Sequence, residues 1–527
     1  MQRDIEMGKL RAEDEWDVVV IGGGASGLGA ALDASTRGLK TLLLESHDFA
    51  KGTSSRSTKL VHGGVRYLAQ GYIDLVFEAL HERGLIAKNA RHLFNNQSFI
   101  IPNYSWWGGF YYKIGLSIYD LMARKLRLGK TTLINATQTL QKLPTLIKQG
   151  LCSGIIYQDG QFDDARLAIN LAQSIVEHEG VVINYMQVTD LLKDKNDKIS
   201  GVEATDIQTH EVFQIKSKSV INATGVFTNN IVQIDEKSDR KLVVPSQGIH
   251  LVLDQSFLPS KDALMIPKTS DGRVLFAVPW HDKLVVGTTD VLVDHAEFEP
   301  QPLQNEVDFI LATVAKYLTK APTREDVLSV FAGLRPLAAP EKKGKSTKEV
   351  SRSHKVIVSD SHLVTITGGK WTTYRKMAED VVNKAVEVAH LKAASCVTED
   401  LPIHGCVPKE DVDLSHPLYI YGSDIPHIKH LALENPEWSK KIHPDYSYTQ
   451  SEVIWAVREE MAQTVEDVLA RRVRLLFLDA RAAIDSAPGV ARLMAKELGK
   501  DEAWIQAQIQ EFIEIAQHYL LVKYTVK

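Results

Sequence analysis

This sequence of 527 residues has few cysteines, no long apolar run and no excess of basic residues. The three cysteines, Cys152, Cys396 and Cys406, are too few and too scattered for a disulfide framework or a cysteine metal cluster. We therefore expect a reducing compartment and no metal site. No segment approaches the roughly 18 consecutive apolar residues of a membrane-spanning helix. The charged residues 1–17 lack the apolar core of a secretory signal.

The overall composition is that of an ordinary folded protein. The formal net charge is −5, which gives no indication of a nucleic-acid partner. Apolar residues make up 44% of the chain and charged residues 24%, which is typical of globular proteins. The length is sufficient for two or more domains.

A glycine-rich turn lies between two short apolar segments near the N-terminus. Residues 18–21 are typical of a buried parallel strand, and Gly22, Gly24 and Gly27 follow in the G-x-G-x-x-G spacing. These glycines permit a tight turn, close approach of a pyrophosphate and close packing of the next helix. Glu45 ends a second apolar strand, about 20 residues further on, where a carboxylate binds the ribose of an adenosine. The pattern predicts a dinucleotide site.

A second G-x-G-x-x-G motif on a strand-to-helix turn is absent from the sequence. Flavoenzymes that take electrons from a nicotinamide often carry two such domains. We therefore expect a flavin in this chain to be reduced directly by a bound organic substrate.

Three further segments favour contact with the same cofactor. Residues 47–67 are dense in Gly, Ser and Thr, whose hydroxyl and backbone N–H groups suit a phosphate or ribityl chain. Residues 220–225 form an apolar strand that ends in Thr-Gly, where a doubly wound sheet offers its backbone to a nucleotide. The Gly368-Gly369 turn precedes a predicted helix and resembles a second anion site.

Cations stand beside the glycine turns. Arg66, Arg335 and Lys370 each follow or adjoin such a turn near a predicted strand end. Each alone is more typical of a surface salt bridge, but together they favour an anionic substrate. Oxidation of an alcohol also needs a base that titrates near neutrality, and the candidates are His250 and, less favoured, His62. A lone histidine in a strand is more often structural.

The sequence resembles the FAD-dependent, quinone-linked sn-glycerol-3-phosphate dehydrogenases of aerobic respiration. Residues 53–67 are the specific signature, because plain amino-acid oxidases share only the glycine motif. Trp371 and Arg56 depart from the family pattern without removing a proposed contact. The matching stretches are residues 21–27, 53–67, 159–166, 222–225, 287–290, 333–336, 368–375 and 466–481.

The resemblance implies oxidation of glycerol 3-phosphate to dihydroxyacetone phosphate, with FAD passing electrons to ubiquinone or menaquinone. The predicted catalytic residues are His250, Arg335 and Lys370, and the predicted substrate-binding residues are Arg66, Tyr67 and His62. The resemblance places the cations on the substrate phosphate. The predicted cofactor-binding residues are Gly22, Gly24, Ser26, Gly27, Glu45, Thr53, Ser54, Ser57, Lys59, Val188, Thr224, Gly225, Gly368, Gly369 and Thr372.

The expected fold is α/β, with a Rossmann-like FAD-binding domain, an inserted antiparallel-sheet substrate domain and a C-terminal α-helical cap domain. The oxidoreductase domain is predicted at residues 1–395 and the cap at 396–527. Within the former, the FAD-binding parts are expected at about 16–75, 165–230 and 355–391, and the substrate sheet at about 240–350.

Quinone reduction requires approach to a bilayer. With no spanning helix, we expect monotopic, peripheral attachment to the inner face of the cytoplasmic membrane. Residues 106–130 are the candidate surface, because aromatic residues there precede Arg124, Lys125, Arg127 and Lys130. The alternative is a packed helix with a solvated basic end. A homodimer is the default oligomer.

Four other functions stay open. A glycerophosphate oxidase would pass electrons to oxygen and make hydrogen peroxide, but such oxidases typically carry an extra middle segment. An amine or amino-acid oxidase would share the flavin fold. A non-catalytic protein, like the membrane-recycling chaperones of small GTPases, need not keep the glycines and Glu45. A tRNA-modifying flavoprotein would need a basic face, which the acidic balance disfavours.

Overall fold

The computed structural model describes residues 1–65, 68, 71–105, 108–238, 240–339, 354–522 and 524. The helices are α1 Arg3–Ala12, α2 Ala25–Thr36, α3 Ile73–Asn89, α4 Gly108–Met122, α5 Ala136–Lys142, α6 Asp164–Glu177, α7 Thr228–Glu236, α8 Gln304–Val314, α9 Tyr374–Val388, α10 Ile425–Glu434, α11 Gln450–Glu459, α12 Leu475–Leu478, α13 Ala480–Leu498 and α14 Glu502–Gln517.

The strands divide between two sheets. The strands are β1 Trp16–Ile21, β2 Thr41–Leu44, β3 Leu60–Val61, β4 Asn95–Asn103, β5 Thr132–Asn135, β6 Ser153–Gln161, β7 Val181–Ile183, β8 Met186–Lys193, β9 Ile199–Asp206, β10 Val212–Asn222, β11 Val243–Asp254, β12 Ala263–Ile266, β13 Leu275–Trp280, β14 Lys283–Gly287, β15 Val291–Leu292, β16 Val327–Ala338, β17 Lys355–Val358 and β18 Val364–Thr367.

The first sheet, which we call the cofactor sheet, has β1 at its centre. Its order is β17-β18-β10-β1-β2-β7, with β8 and β9 attached through β10. The strands β18, β10, β1, β2 and β7 run parallel. Helices α2 and α9 pack against one face, and residues of α1, β8 and β9 pack against the other, so β1 is buried on both sides. This double burial explains its continuous apolar sequence.

The second sheet, the substrate sheet, is almost wholly antiparallel. Its order is β15-β11-β14-β13-β12-β4-β6-β3, with β16 paired to β11 and β5 paired to β6. The long β11–β16 ladder sets His250 opposite Phe331 and Ser246 opposite Arg335. The sheet extends beyond the expected residues 240–350, because β3 to β6 join it through a parallel contact between β4 and β12. Such a pairing between distant segments leaves no local sequence pattern.

The C-terminal region is helical, as expected. Helices α11 to α14 share an apolar core that includes Val453, Leu469, Val490 and Phe512, and this core continues into the substrate sheet through Phe331 and its neighbours. The observed combination of a parallel sheet, an antiparallel sheet and a helical C-terminal domain confirms the predicted fold class. Among the described residues, no helix has both the length and the apolar character to cross a bilayer.

Candidate active site

The glycine turn after β1 is too crowded for any other residue. Gly22 adopts φ +109°, and a Cβ there would lie 2.9 Å from the carbonyl oxygen of Ala223 at the end of β10. A Cβ at Gly27 would collide with the carbonyl oxygen of Gly22. The N-cap of α2 is Gly24, so the N-cap residue has no side chain to cover the positive end of the helix dipole.

Glu45 occupies the predicted position at the carboxyl end of β2. Its Oε2 accepts a hydrogen bond from the N–H of Gly23 at 2.5 Å, and its Oε1 accepts one from the N–H of His47 at 2.9 Å. Burial raises the pKa of Glu45, while these two N–H donors oppose that rise. The carboxylate is therefore held in a fixed orientation beside the glycine turn, as a ribose partner requires.

The hydroxyl loop after Glu45 connects the two sheets. Ser54 Oγ accepts a hydrogen bond from Ala25 N in the first turn of α2 at 2.9 Å. Thr53 Oγ1 donates to the carbonyl oxygen of Leu334 in β16 at 2.5 Å. Trp371, noted above as a departure, donates from Nε1 to the carbonyl oxygen of Ser54 at 2.7 Å, so it supports this loop.

Lys59, a predicted cofactor residue, directs its side chain behind the loop at Asp164. The residue is fully buried, and its Nζ donates to Asp164 Oδ2 at 2.6 Å and to the carbonyl oxygen of Ser55 at 2.7 Å. Burial lowers the pKa of Lys59 to about 7, against the opposing charge of Asp164. Ser57 Oγ also donates to Asp164, at 2.7 Å. The ammonium group therefore holds the loop, and only the backbone of Lys59 is left for a cofactor contact.

The other predicted cofactor residues lie at or near the same strand ends. Thr224 Oγ1 donates to Asn222 Oδ1 at 2.7 Å, and Gly225 adopts φ +60° at the end of β10. Val188 lies on β8 opposite Ala204, and its side chain is buried in an apolar cluster. A contact from Val188 to the cofactor would therefore come from its backbone.

A cavity of about 320 Å³ lies between the loops of the cofactor sheet and the face of the substrate sheet. Segments that are far apart in the chain meet there, among them parts of 53–65, 288–290, 333–337 and 368–372. Arg66 and Tyr67 fall outside the described residues. The predicted residues that line the cavity are Thr53, Ser57, His62, His250, Arg335, Gly368, Gly369, Lys370 and Thr372.

His250 presents a buried, neutral imidazole at the cavity. Its ring stacks on Phe331 with centroids 4.9 Å apart, and its Nε2 lies 2.9 Å from Thr58 Oγ1. Burial lowers the pKa of His250 well below 6.5, and the nearby charges of Lys59 and Arg335 lower it further. A side chain at Gly287 would collide with the ring. Nδ1 is buried and has no hydrogen-bond partner in the part of the chain that the structure describes.

His62 lines the cavity from β3's end. Burial lowers the pKa of His62 to about 4, with Asp159 opposing and Lys370 adding to the shift. Its backbone N–H donates to Thr372 Oγ1 at 3.2 Å, so the segment after the Gly368-Gly369 turn holds it. Burial therefore holds the pKa of both candidate bases below the near-neutral range expected from the sequence, and both imidazoles are neutral at pH 7.

Arg335 is fixed in position while part of it remains accessible. Its Nη2 donates to Thr288 Oγ1 at 2.9 Å and to the carbonyl oxygen of Thr289 at 3.0 Å, and its Nη1 lies 3.5 Å from Asp290. A side chain at Gly248 on the facing strand would collide with the guanidinium group. The side chain is 30% exposed, so it can reach an anion in the cavity.

Lys370 also lines the cavity. It precedes a short 3-10 turn, Trp371–Thr373, and follows Gly368 and Gly369, whose φ angles are +77° and +74°. The structure thus brings both predicted catalytic cations and His250 to one cavity.

Arg273 is a cavity residue to which the sequence analysis assigned no role. It lies in the turn between β12 and β13, and its Nε is 3.2 Å from Asp271. The Asp-Gly of this turn is typical of any hairpin, so the sequence carried no signal. Arg56, noted above as a departure from the family pattern, also lines the cavity and pairs with Glu299 at 2.6 Å.

Comparisons with known proteins define the class. A family model described as FAD dependent oxidoreductase matches residues 17–375, and one described as the C-terminal domain of alpha-glycerophosphate oxidase matches residues 360–505. The first match covers more than half of the chain. The chain therefore belongs to the FAD-dependent oxidoreductase family.

Its curated relatives and a solved structure narrow the class. A Caenorhabditis elegans protein named probable glycerol-3-phosphate dehydrogenase, mitochondrial, is 40% identical over 95% of this chain and 73% of its own length. The mitochondrial glycerol-3-phosphate dehydrogenase of Bos taurus is 38% identical over 98% of this chain and 75% of its own length. The Bacillus halodurans glycerol-3-phosphate dehydrogenase complexed with FAD has a TM-score of 0.80 and 30% identity, covering 100% of this chain and 99% of that chain.

A more distant structure shares the fold alone. The L-alpha-glycerophosphate oxidase of Mycoplasma pneumoniae, with FAD bound, has a TM-score of 0.56 at 17% identity and covers 73% of this chain. The resemblance to glycerol-3-phosphate dehydrogenases and the prediction of FAD are confirmed by these comparisons. The residues present fit FAD, because the crowded glycine turn, the N-terminus of α2 and the fixed Glu45 carboxylate form a dinucleotide cradle.

Proposed function

We propose that the protein oxidises sn-glycerol 3-phosphate to dihydroxyacetone phosphate and passes the electrons to a membrane quinone. The observation that carries this proposal is one cavity in which the neutral imidazole of His250 and the cations Arg335 and Lys370 meet. The names of the relatives that match most of the chain support the same substrate.

His250 is the proposed base. Its imidazole is neutral and buried, so it can accept the proton of the substrate hydroxyl. FAD, when bound, supplies the acceptor for the hydride that leaves the adjacent carbon. Loss of that proton and that hydride together converts the alcohol to the ketone, which balances the reaction.

Arg335 and Lys370 are the proposed phosphate ligands. A guanidinium fork held at Thr288 and Thr289 matches the geometry of a phosphate, and Lys370 adds a point charge. Because Asp290 partly neutralises Arg335, we propose that the remaining predicted cations are needed for a dianion. Arg66 and Tyr67 stay predicted substrate residues.

The test is anaerobic. Glycerol 3-phosphate is added to the purified yellow protein without oxygen, and the flavin absorbance near ~450 nm is followed. We expect rapid bleaching by glycerol 3-phosphate and none by glycerol, which lacks the phosphate. Bleaching by amines or amino acids, and not by glycerol 3-phosphate, would contradict the proposal and favour an amine or amino-acid oxidase.

The electron acceptor is tested on the reduced protein. The C-terminal match to a glycerophosphate oxidase domain makes oxygen the alternative acceptor. Reduced protein is mixed with a water-soluble quinone analogue or with oxygen, and recovery of the flavin band is timed. We expect faster recovery with quinone, whereas fast recovery with oxygen and stoichiometric hydrogen peroxide would identify an oxidase.

Helix α4 is the proposed membrane contact. Four apolar side chains lie along one face at helical spacing, and Phe110, Ile114, Ile118 and Leu121 are 64%, 49%, 47% and 68% exposed. Residues 124–127, which follow the helix, contribute exposed basic side chains. Apolar residues beside basic ones suit an anionic bilayer surface. We therefore propose peripheral attachment through α4 at the inner face of the cytoplasmic membrane. Trp106 and Trp107 lie outside the described residues.

A vesicle sedimentation assay tests this surface. Charge reversal of Arg124, Lys125 and Arg127 is expected to reduce binding to vesicles that contain anionic lipid. A matched control reverses Lys429, Lys440 and Lys441 on the helical domain, which are also exposed. Unchanged binding of the first variant would contradict the α4 surface.

A further inference from the structure

Tyr119 lies on the inner face of α4, opposite the proposed membrane face. The side chain is 1% exposed. Its hydroxyl oxygen accepts a hydrogen bond from the N–H of Gly63 at 2.7 Å and donates one to Asp159 Oδ2 at 2.7 Å. Asp159 in turn accepts a hydrogen bond from Arg83 Nη1 at 2.9 Å. The hydroxyl therefore uses both its donor and its acceptor capacity in a buried network.

Gly63 lies between two residues that line the cavity, His62 and Gly64. The backbone approaches the phenol so closely that a Cβ at Gly63 would lie 2.7 Å from Tyr119 Oη. On the other side, Thr372 Oγ1 accepts a hydrogen bond from the N–H of His62. Segment 62–64 is therefore held between the 3-10 turn Trp371–Thr373 and Tyr119.

The same helix face supports the residues that flank the predicted substrate contacts. Val65 and Leu68 pack against an apolar cluster that contains Tyr119, Leu80 and Met122. Burial, together with the charge of Asp159, raises the pKa of Tyr119 well above 10, so the phenol remains protonated and donates.

We propose that Tyr119 is a positioning residue, whose hydroxyl sets segment 62–64 in the geometry that binds substrate. It touches neither the cavity nor the reacting atoms, and it acts through the backbone of Gly63. The inference rests on the proposed oxidation of glycerol 3-phosphate.

Substitution Tyr119→Phe keeps the ring and removes both hydrogen bonds. We expect the glycerol 3-phosphate concentration for half-maximal rate of anaerobic flavin reduction to rise about tenfold. The limiting rate is expected to change less than about threefold, and FAD content to stay at the wild-type level. This split between apparent affinity and limiting rate is a readout that a purely structural role would not produce.

The matched control is Tyr104→Phe, which likewise removes one tyrosine hydroxyl. The side chain of Tyr104 is half-buried. Tyr104 Oη donates to the carbonyl oxygen of Ile147 at 2.9 Å, away from the cavity. We expect wild-type kinetics from it. Asp159→Asn, which alters the acceptor of Tyr119, should shift the half-saturating concentration in the same direction, and the double variant should add little.

Two results would overturn the inference, and they are distinguishable. A Tyr119→Phe protein with a lower Tm but an unshifted half-saturating concentration would make the residue structural only. A wild-type protein that glycerol 3-phosphate does not bleach would remove the proposed function and the inference with it.

Discussion

The cofactor sheet and the substrate sheet present their functional groups in different ways. The cofactor sheet offers backbone groups and the Glu45 carboxylate at the carboxyl ends of β1, β2 and β10, where glycines make room. The substrate sheet presents side chains from the middle of long strands, including His250 on β11 and Arg335 on β16. A substitution therefore harms the first region by adding atoms and the second by removing them. Retention of FAD and turnover of substrate should be separable.

The largest effect is expected at Gly27. Substitution Gly27→Ala adds a Cβ that collides with the carbonyl oxygen of Gly22, and backbone cannot move as a flexible side chain can. We expect the 450 nm absorbance per protein to fall at least about tenfold. The matched control is Gly489→Ala in α13, where an added Cβ meets nothing within 4 Å. A Gly27→Ala protein with full FAD would contradict the account of the turn.

The second-largest effect is expected at Asp48. This residue lies just beyond Glu45 and joins the cofactor region to the helical domain. Its Oδ1 accepts from Arg472 Nη2 at 3.0 Å and its Oδ2 from Arg471 Nε at 2.5 Å, all fully buried. Burial alone would raise the pKa of Asp48, but the two arginines hold it below its ordinary value. Asp48→Asn leaves buried charge uncompensated and should cost about 3–5 kcal/mol in the free energy of unfolding.

Denaturant unfolding followed by fluorescence measures this loss. The control is Glu211→Gln, which breaks the exposed pair between Glu211 and Arg11 and should cost less than about 1 kcal/mol. Equal losses in the two variants would show that the buried network does not stabilise the join.

A substitution at Arg335 tests the role of the substrate sheet in turnover. Arg335→Lys cannot reproduce the two hydrogen bonds that fix the fork, so kcat/KM for glycerol 3-phosphate should fall roughly 10²-fold while FAD content stays normal. Arg324→Lys is the matched control, because Arg324 is 31% exposed and pairs with Asp308 outside the cavity. Loss of FAD from Arg335→Lys would contradict the claim that FAD retention and substrate turnover depend on different sheets.

The smallest effect concerns pH. The folded pKa of His62, about 4, lies below the ordinary value of 6.5, so the unfolded chain binds a proton first as the pH falls. This group therefore removes stability progressively between about pH 6.5 and 4. His62→Gln should lessen the fall of Tm between about pH 7 and 5. Exposed His210 provides the control, and an equal lessening in His210→Gln would contradict the assignment.

The cofactor region was largely predictable because its signals are local. The spacing of Gly22, Gly24 and Gly27 and the position of Glu45 depend on one strand-turn-helix unit, and the structure places them as expected. The meeting of His250 with Arg335 could be expected only from the family resemblance, since their strands are far apart in sequence.

Other features depend on contacts between distant segments. The side chain of Lys59 is directed at Asp164, which is 105 residues further along the chain. Tyr119 contacts Gly63 across 56 residues, and neither carries a motif. In both residues burial determines which groups the side chain contacts. Burial of a charged or phenolic side chain cannot be deduced from its local sequence.

The most direct test of the account compares wild-type protein with His250→Asn under anaerobic conditions. Each is mixed with glycerol 3-phosphate while the flavin band is followed, and dithionite then gives the fully reduced end point. We predict full FAD in both and bleaching by substrate at least about 10²-fold slower in His250→Asn, since its base is lost. Bleaching of the variant at the wild-type rate, or a variant without flavin, would contradict the division between the two sheets.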